Sequence, residues 1–529
     1  MQGMVSTRRI LRTIALCGAL CGGLLLDARP SCSQTSAEPV NKQMDMEKIG
    51  ALLQQLQSQI QQLHEQVSDL KVQQQSAKAE SEQLRKALDT AMSQLAAMNA
   101  KPESTEANQK AAESTSAPTG LQDRVERLEE NQQLADSKIA EQSQTKVESG
   151  SKYRLRLSGI ALFNMFDNRG AVDNSDFPQL AVARGILATN SAFGGTFRQS
   201  QITIQAFGPT IAGARTSAEV DLDFAGGFPQ VPNGTSFGLM RLRTGTVRFE
   251  WPQTTLVAGQ DGLFFAPLSP TSLATLATPS LAYSGNLWGW TPQIHVEHSY
   301  AVSESSSVTL QAGILDSLSA DTPGSTYNRN VGWGEASGQP AYAARVAWSG
   351  TIGGQAITIG GAGYYGRQAW GLGRHVDGWA GTIDAKVPLG NRFEFTSEFY
   401  RGRAIGGFGA GIGQTIVWNG SLFDPATEVH GLNSIGGWAQ LKFRATSKLQ
   451  FNGVFGSDNP FASELRDYGG SINYYPFPLS KNESGFVNFI YQPRSDIVFS
   501  MEYRRLKTFT LDRGTNAANI ANLSVGYLF

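Results

Sequence analysis

Residues 212–224 read AGARTSAEVDLDF, and their side chains alternate without a break. Ala212, Ala214, Thr216, Ala218, Val220, Leu222 and Phe224 fall on one face, and Arg215, Ser217, Glu219, Asp221 and Asp223 on the other. This is the period of a β-strand with one apolar and one wet side. The run is 13 residues long. Strands of globular proteins centre on about 5 or 6 residues, whereas a tilted strand crossing a bilayer needs about 9–11. Length therefore puts lipid, rather than a second sheet, against the apolar face. A sheet in lipid tolerates no open edge, so it must close into a barrel.

The same period recurs to the last residue. It predicts strands over 153–166, 197–207, 212–224, 238–251, 254–266, 290–301, 307–315 and 341–349. It predicts the remainder over 355–366, 375–387, 392–403, 434–444, 449–457, 484–492, 496–507 and 518–529, about sixteen antiparallel strands in all. Short connections such as Pro252–Gln253 and Pro388–Asn391 alternate with long ones such as 167–196, 267–289 and 404–433. Short turns on one rim and long loops on the other are the pattern of an outer-membrane barrel. The segment 458–483 is ambiguous, because INYYPF (472–477) reads as a further strand. The chain stops on Leu523, Val525, Tyr527 and Phe529, an alternation closed by an aromatic residue. It resembles the C-terminal signal read by the barrel-assembly machinery.

The first 150 residues follow other rules. Arg8, Arg9 and Arg12 precede the apolar run Ile14–Leu26, which is too short for a membrane helix, so residues 1–33 read as a secretory signal. Cys17, Cys21 and Cys32 would leave with it, and the mature chain would hold no disulfide or Cys-ligated metal. Residues 34–100 contain a heptad register, with Met46, Leu53, Ile60, Val67, Gln74, Ser81, Leu88 and Leu95 in one series and Ile49, Leu56, Leu63, Leu70, Ala77, Leu84, Ala91 and Met98 in the other, weakened at its centre by Gln74 and Ser81. That is an α-helical coiled-coil stalk that self-associates. Residues 101–120 are a polar linker, residues 121–150 a shorter second coil, and residues 151–529 the barrel. The net charge is −1, which gives no general attraction to nucleic acid.

On the alternation, Arg154, Arg156, Arg215, Arg241, Arg243, Lys442 and Arg444 face the lumen, as do Glu219, Asp221, Asp223, Glu394 and Glu398. Arg215, Arg241 and Arg243 lie on adjacent strands and would form a local positive field, unless they pair along the wall. Asp261 would face that row. His295 and Glu297 share a strand face that His298 does not, which argues against a metal site, and no cofactor is implied. GFGAGIGQ, ending at Gln414, lacks the strand-to-helix context and the Lys of a phosphate loop and reads as a flexible loop.

RLRTGTVRFEW (241–251), LVAGQ (256–260), GGWAQLKF (436–443), FGSDNP (455–460), VNFIYQP (487–493) and the terminal GYLF together resemble the DcaP-like porins. The resemblance implies a homotrimeric sixteen-stranded porin of the outer membrane with a periplasmic N-terminal coil. It also implies passive uptake of small hydrophilic solutes, with a preference for small anions such as dicarboxylates. In porins the loop after the fifth strand, here 267–289, commonly folds inward. The competing reading is an outer-membrane tether whose stalk contacts the cell wall and whose barrel is an anchor. An enzyme would need a nucleophile–base pair that the five histidines do not supply.

Overall fold

The computed structural model describes residues 153–529 apart from 187–188, 229–237, 320–328, 469, 472–477 and 513. The signal, heptad and linker segments, the second coil and INYYPF lie outside the described residues. Among those described, the strands in chain order are β1 (Arg154–Arg169), β2 (Ser191–Thr196), β3 (Gln201–Ile211), β4 (Ala214–Asp223), β5 (Arg241–Glu250), β6 (Thr254–Asp261) and β7 (Thr291–Ser303). They continue with β8 (Ser306–Leu315), β9 (Ala341–Ile352), β10 (Gln355–Ala369), β11 (His375–Leu389), β12 (Phe393–Arg403), β13 (Ile416–Asn419) and β14 (Glu428–Gly431). The last are β15 (Asn433–Arg444), β16 (Leu449–Pro460), β17 (Gly470–Ser471), β18 (Leu479–Arg494), β19 (Ile497–Thr510) and β20 (Thr515–Leu528).

Sixteen of these form the wall, one for each strand expected from the alternation. β2 continues the ladder on β1 beyond the end of β3, and β13, β14 and β17 make a separate three-stranded sheet. All wall pairs are antiparallel, and β20 closes the ring on β1 from Ile160↔Leu528 to Arg169↔Asn519. The final residue is part of that closure. The amide of Gly159 donates to Phe529 O at 2.9 Å, and the amide of Phe529 donates back to Gly159 O at 3.1 Å. A Cβ on Gly159 would stand 2.9 Å from the Phe529 ring, so glycine makes the seat for the terminal aromatic.

Some boundaries differ from the expectation. β4 starts at Ala214, because Ala212 (φ 48°) and Gly213 (φ 79°) form the turn from β3. Two positive φ values in a two-residue loop suit the twist of a hairpin. β6 stops at Asp261, and Leu263, Phe264 and Phe265 leave the wall for a buried cluster with Tyr364, Tyr400 and Phe408. The segment before β18 holds a short helix, α1 (Ala462–Asp467).

The two faces of the wall have opposite chemistry. Leu157, Phe163, Val220, Val247, Val296, Phe399, Phe455 and Val487 point outward and exposed. Phe393, Phe443, Phe451 and Phe489, on β12, β15, β16 and β18, form a row with successive ring centroids 4.8, 6.3 and 6.4 Å apart near the short-turn rim. Apolar flanks with an aromatic girdle are what a wall in lipid requires. Inside, Asn164, Asp384, Glu398, Gln440, Asn488, Glu502 and Arg504 are buried but polar. Such a face needs partners or water in the lumen.

Candidate functional site: the lumen and its inward loop

A β-bulge sets the charge pattern on β5. Its ladder with β4 slips between Asp221↔Thr244 and Leu222↔Leu242, leaving Arg243 as the extra residue. A bulge lets consecutive residues share a face. Arg241 and Arg243 therefore point inward on one side of it, and Thr246, Arg248 and Glu250, opposite the inward Glu219, Ser217 and Arg215, on the other. Strict alternation would have sent Arg248 and Glu250 into lipid. The clue was in the sequence: Leu242 and Val247 are five positions apart, an odd spacing that no unbroken strand places on one face.

The segment 262–290, between β6 and β7, folds into the barrel and is bonded to the wall strand after strand. Thr382 on β11 donates to Phe265 O at 2.7 Å, and the Leu268 amide donates to Glu398 on β12 at 3.3 Å. The Thr271 amide donates to Gln440 on β15 at 2.7 Å, and Asn488 on β18 donates to Thr271 O at 3.0 Å. Ser272 donates to Glu502 on β19 at 2.6 Å, and Asn164 on β1 donates to Leu273 O at 2.8 Å. Gln199, in the break between β2 and β3, accepts from the amides of Leu276 and Ala277 at 2.7 and 3.1 Å and donates to Ala274 O at 2.9 Å. The loop thus follows the wall from β11 round to β5, and at its start Gln293 on β7 donates to Gly262 O at 2.7 Å while Phe264 packs on His295 at 4.6 Å. Between the loop and β6–β8 lies a cavity of about 300 Å³, lined by Asp261, His295, Glu297 and Gln311 from the wall and by Phe264, Pro267, Ser269, Trp288 and Trp290 from the loop.

The glycine-rich segment 406–414 supports the loop from behind, which corrects the expectation of a flexible loop. It forms tight 3-10 turns at 406–408 and 410–413, with Phe408 and Ile412 buried. Gly409 has φ 85°, and a Cβ there would lie 2.3 Å from Ala282 O. Glycine is needed for both the dihedral and the approach. Close backbone packing, not phosphate or mobility, accounts for the composition.

Each anticipated lumen residue reaches the inner face, but several are paired. Arg241 holds Asp223 with Nε at 3.0 Å and Nη2 at 2.6 Å, and also donates to Ala277 O at 2.7 Å. Arg243 lies 3.1 Å from Asp221 and donates to Leu276 O at 3.2 Å. Both guanidiniums stack on Trp290, at 5.0 and 4.9 Å. The expected positive field of Arg215, Arg241 and Arg243 is therefore corrected: two aspartates offset the latter two, which grip the loop instead. Asp261 does face an arginine, but it is Arg248, at 3.0 Å. His295 turns inward to Glu297 at 3.2 Å, while His298 bonds Thr254 on the outer face.

The short-turn end carries the accessible charge. Arg215 meets Glu250 at 3.2 Å with its side chain 82% exposed, Arg154 covers the Phe207 ring at 4.6 Å, and Glu219 accepts from Gln205. Arg156 lies on the same inward parity of β1. Across the barrel, Arg444, Lys442 and Lys386 converge on one carboxylate, Glu394, at 2.8, 3.6 and 3.9 Å. The position of Lys386 on β11 says nothing of this cluster, because Glu394 comes from β12 and Lys442 and Arg444 from β15. Among the described residues no group of three or more His, Cys, Asp or Glu side chains is placed to hold a metal ion.

No protein-family model matches the chain, and no curated protein matches it in sequence. Among solved structures it is similar to the outer membrane channel DcaP of Acinetobacter baumannii, with a TM-score of 0.55 at 14% identity over 72% of this chain and 99% of that one. More distant alignments include an anion-selective porin from Comamonas acidovorans, at a TM-score of 0.44 and 10% identity over 72% and 100% of the two chains. OmpT of Vibrio cholerae aligns at 0.40 and 9% over 72% and 99%. The chain has the fold of the DcaP outer membrane channel, a porin-type barrel, as the resemblance in its sequence implied.

Proposed function

We propose that this protein is an outer-membrane porin through which small hydrophilic solutes diffuse passively, with a modest preference for small anions, dicarboxylates among them. The observation that carries this reading is the path of the inward loop. It is fastened to the wall from β11 round to β5 and leaves a cavity between itself and β6–β8, to which the wall contributes the polar side chains Asp261, His295, Glu297 and Gln311. A barrel serving only as a tether would have no use for a loop so widely fastened beside a cavity with a charged wall. The anion preference rests on the short-turn end, which in outer-membrane barrels is periplasmic. There Arg154, Arg156, Arg215, Arg248, Lys386, Lys442 and Arg444 outnumber Glu219, Glu250, Asp261, Glu297 and Glu394. Fixed charge lining a water-filled pore selects ions by sign. The heptads of residues 46–98 would join copies of the chain in the periplasm, as a trimer. Planar-bilayer recording tests the reading. Stepwise conductance is expected, and a silent, correctly folded barrel would favour the tether.

A further inference from the structure

The outer wall changes chemistry abruptly towards the long-loop end of β18, β19, β20 and β1. Aligned by register, one outward row is Tyr491, Phe499, Val525 and Phe163, and the next is Phe489, Met501, Leu523 and Met165. Both are wholly apolar or aromatic. The following row is Val487, Tyr503, Ala521 and Asp167, and above it come Gly485, Arg505, Asn519 and Arg169. Lys507 lies one step further, with Lys481 beyond it on β18. These cations point away from the lumen: their neighbours Arg504, Leu506 and Thr508 are buried on the inner face, while Arg505 and Arg169 are exposed.

Their partners hold them in place and leave charge over. Tyr503 donates to Asn519 Oδ1 at 2.9 Å, and Arg505 approaches the same oxygen at 3.4 Å. Lys507 and Lys481 both lie over the Phe509 ring, 4.6 and 5.2 Å from its centroid. Asp167 takes Arg169, and Glu483 takes Lys481. Glu483 stands opposite Lys507 in the register and is shared with Lys481, so Arg169, Arg505, Lys507 and Lys481 outnumber Asp167 and Glu483 by two. Gly485, level with Arg505, leaves the wall beside it without a side chain.

We infer that this surface docks a phosphorylated glycolipid of the outer leaflet, its acyl chains on the apolar rows and its phosphates on Arg505 and Lys507, with Arg169 at the flank. The inference rests on the outer-membrane reading. Basic residues immediately beyond a hydrocarbon belt attract anionic headgroups, and a guanidinium matches phosphate oxygens in pairs. Tyr503 and Phe509 sit at the depth where aromatic side chains meet headgroups.

The test is native mass spectrometry of the purified full-length protein in detergent, with bisphosphorylated lipid A, dephosphorylated lipid A or phosphatidylglycerol. The wild type is expected to retain bisphosphorylated lipid A and to hold the other two at least about tenfold more weakly. Arg505→Gln with Lys507→Gln is expected to lose lipid A retention at least about tenfold. Equal retention by that variant overturns the inference. So does equal binding of dephosphorylated lipid A to the wild type, a comparison that needs no variant to fold. Phosphatidylglycerol binding as tightly as lipid A also overturns it, because the surface would then read any anionic headgroup. The porin reading is tested apart from this by conductance, which substitutions on the outer wall leave unchanged.

Discussion

Arg241 holds the fully buried carboxylate of Asp223 through Nε and Nη2 while the same Nη2 reaches Ala277 O, so one side chain joins β4, β5 and the inward loop. Arg241→Ala should leave the buried Asp223 carboxylate with only the longer contact to Arg243 at 3.8 Å, at a cost of about 2 kcal/mol or more. The heat-induced transition of the folded band on gels should fall in temperature, and the single-channel current should grow noisier as the loop loosens. A variant as stable and as quiet as the wild type would show that the clamp is decorative.

Gln199 is the second fastening. Its amide serves the backbone of Ala274, Leu276 and Ala277 and also donates to Asn164 at 3.2 Å. Gln199→Leu keeps the bulk and strands those buried backbone groups, for a loss of about 2–4 kcal/mol. Limited proteolysis should then cut within residues 262–290 at protease levels that spare the wild type. An unchanged digestion pattern would count against the role.

Gly409 gives a sharper steric test. Gly409→Val meets both an unfavourable φ and the Ala282 carbonyl, whereas Gly381→Ala enters open space. The first should lower the yield of folded barrel severely and the second should not. Equal yields would contradict the close packing of the glycine-rich segment against the loop.

The strands were legible because lipid imposes a strict pattern on them. A residue such as Val220 has one acceptable face, and its neighbours Glu219 and Asp221 have the other. The seat of Phe529 on Gly159 was legible in kind, since the final alternation needed a strand to pair with. What alternation hides is any break in its own phase. The bulge at Arg243 concealed Arg248 and Glu250, although the spacing of Leu242 and Val247 carried the signal. Pairings across the lumen were harder still. Lys386, Lys442 and Glu394 come from three strands, and Gly409 meets Ala282 across 127 positions of chain, so no local pattern encodes these contacts.

The central claim is that charge at the short-turn end biases an open channel towards anions. Screening at physiological salt reaches about 8 Å, so only a mouth lined closely by charge imposes such a bias. The deciding measurement is the reversal potential of the full-length protein in a planar bilayer under a salt gradient, beside a variant carrying Lys386→Gln, Lys442→Gln and Arg444→Gln. The wild type should be more permeable to chloride than to potassium. The variant, with Glu394 stripped of its cations, should fall to parity or invert. A cation-selective wild type, or the same permeability ratio in both proteins, would contradict the account.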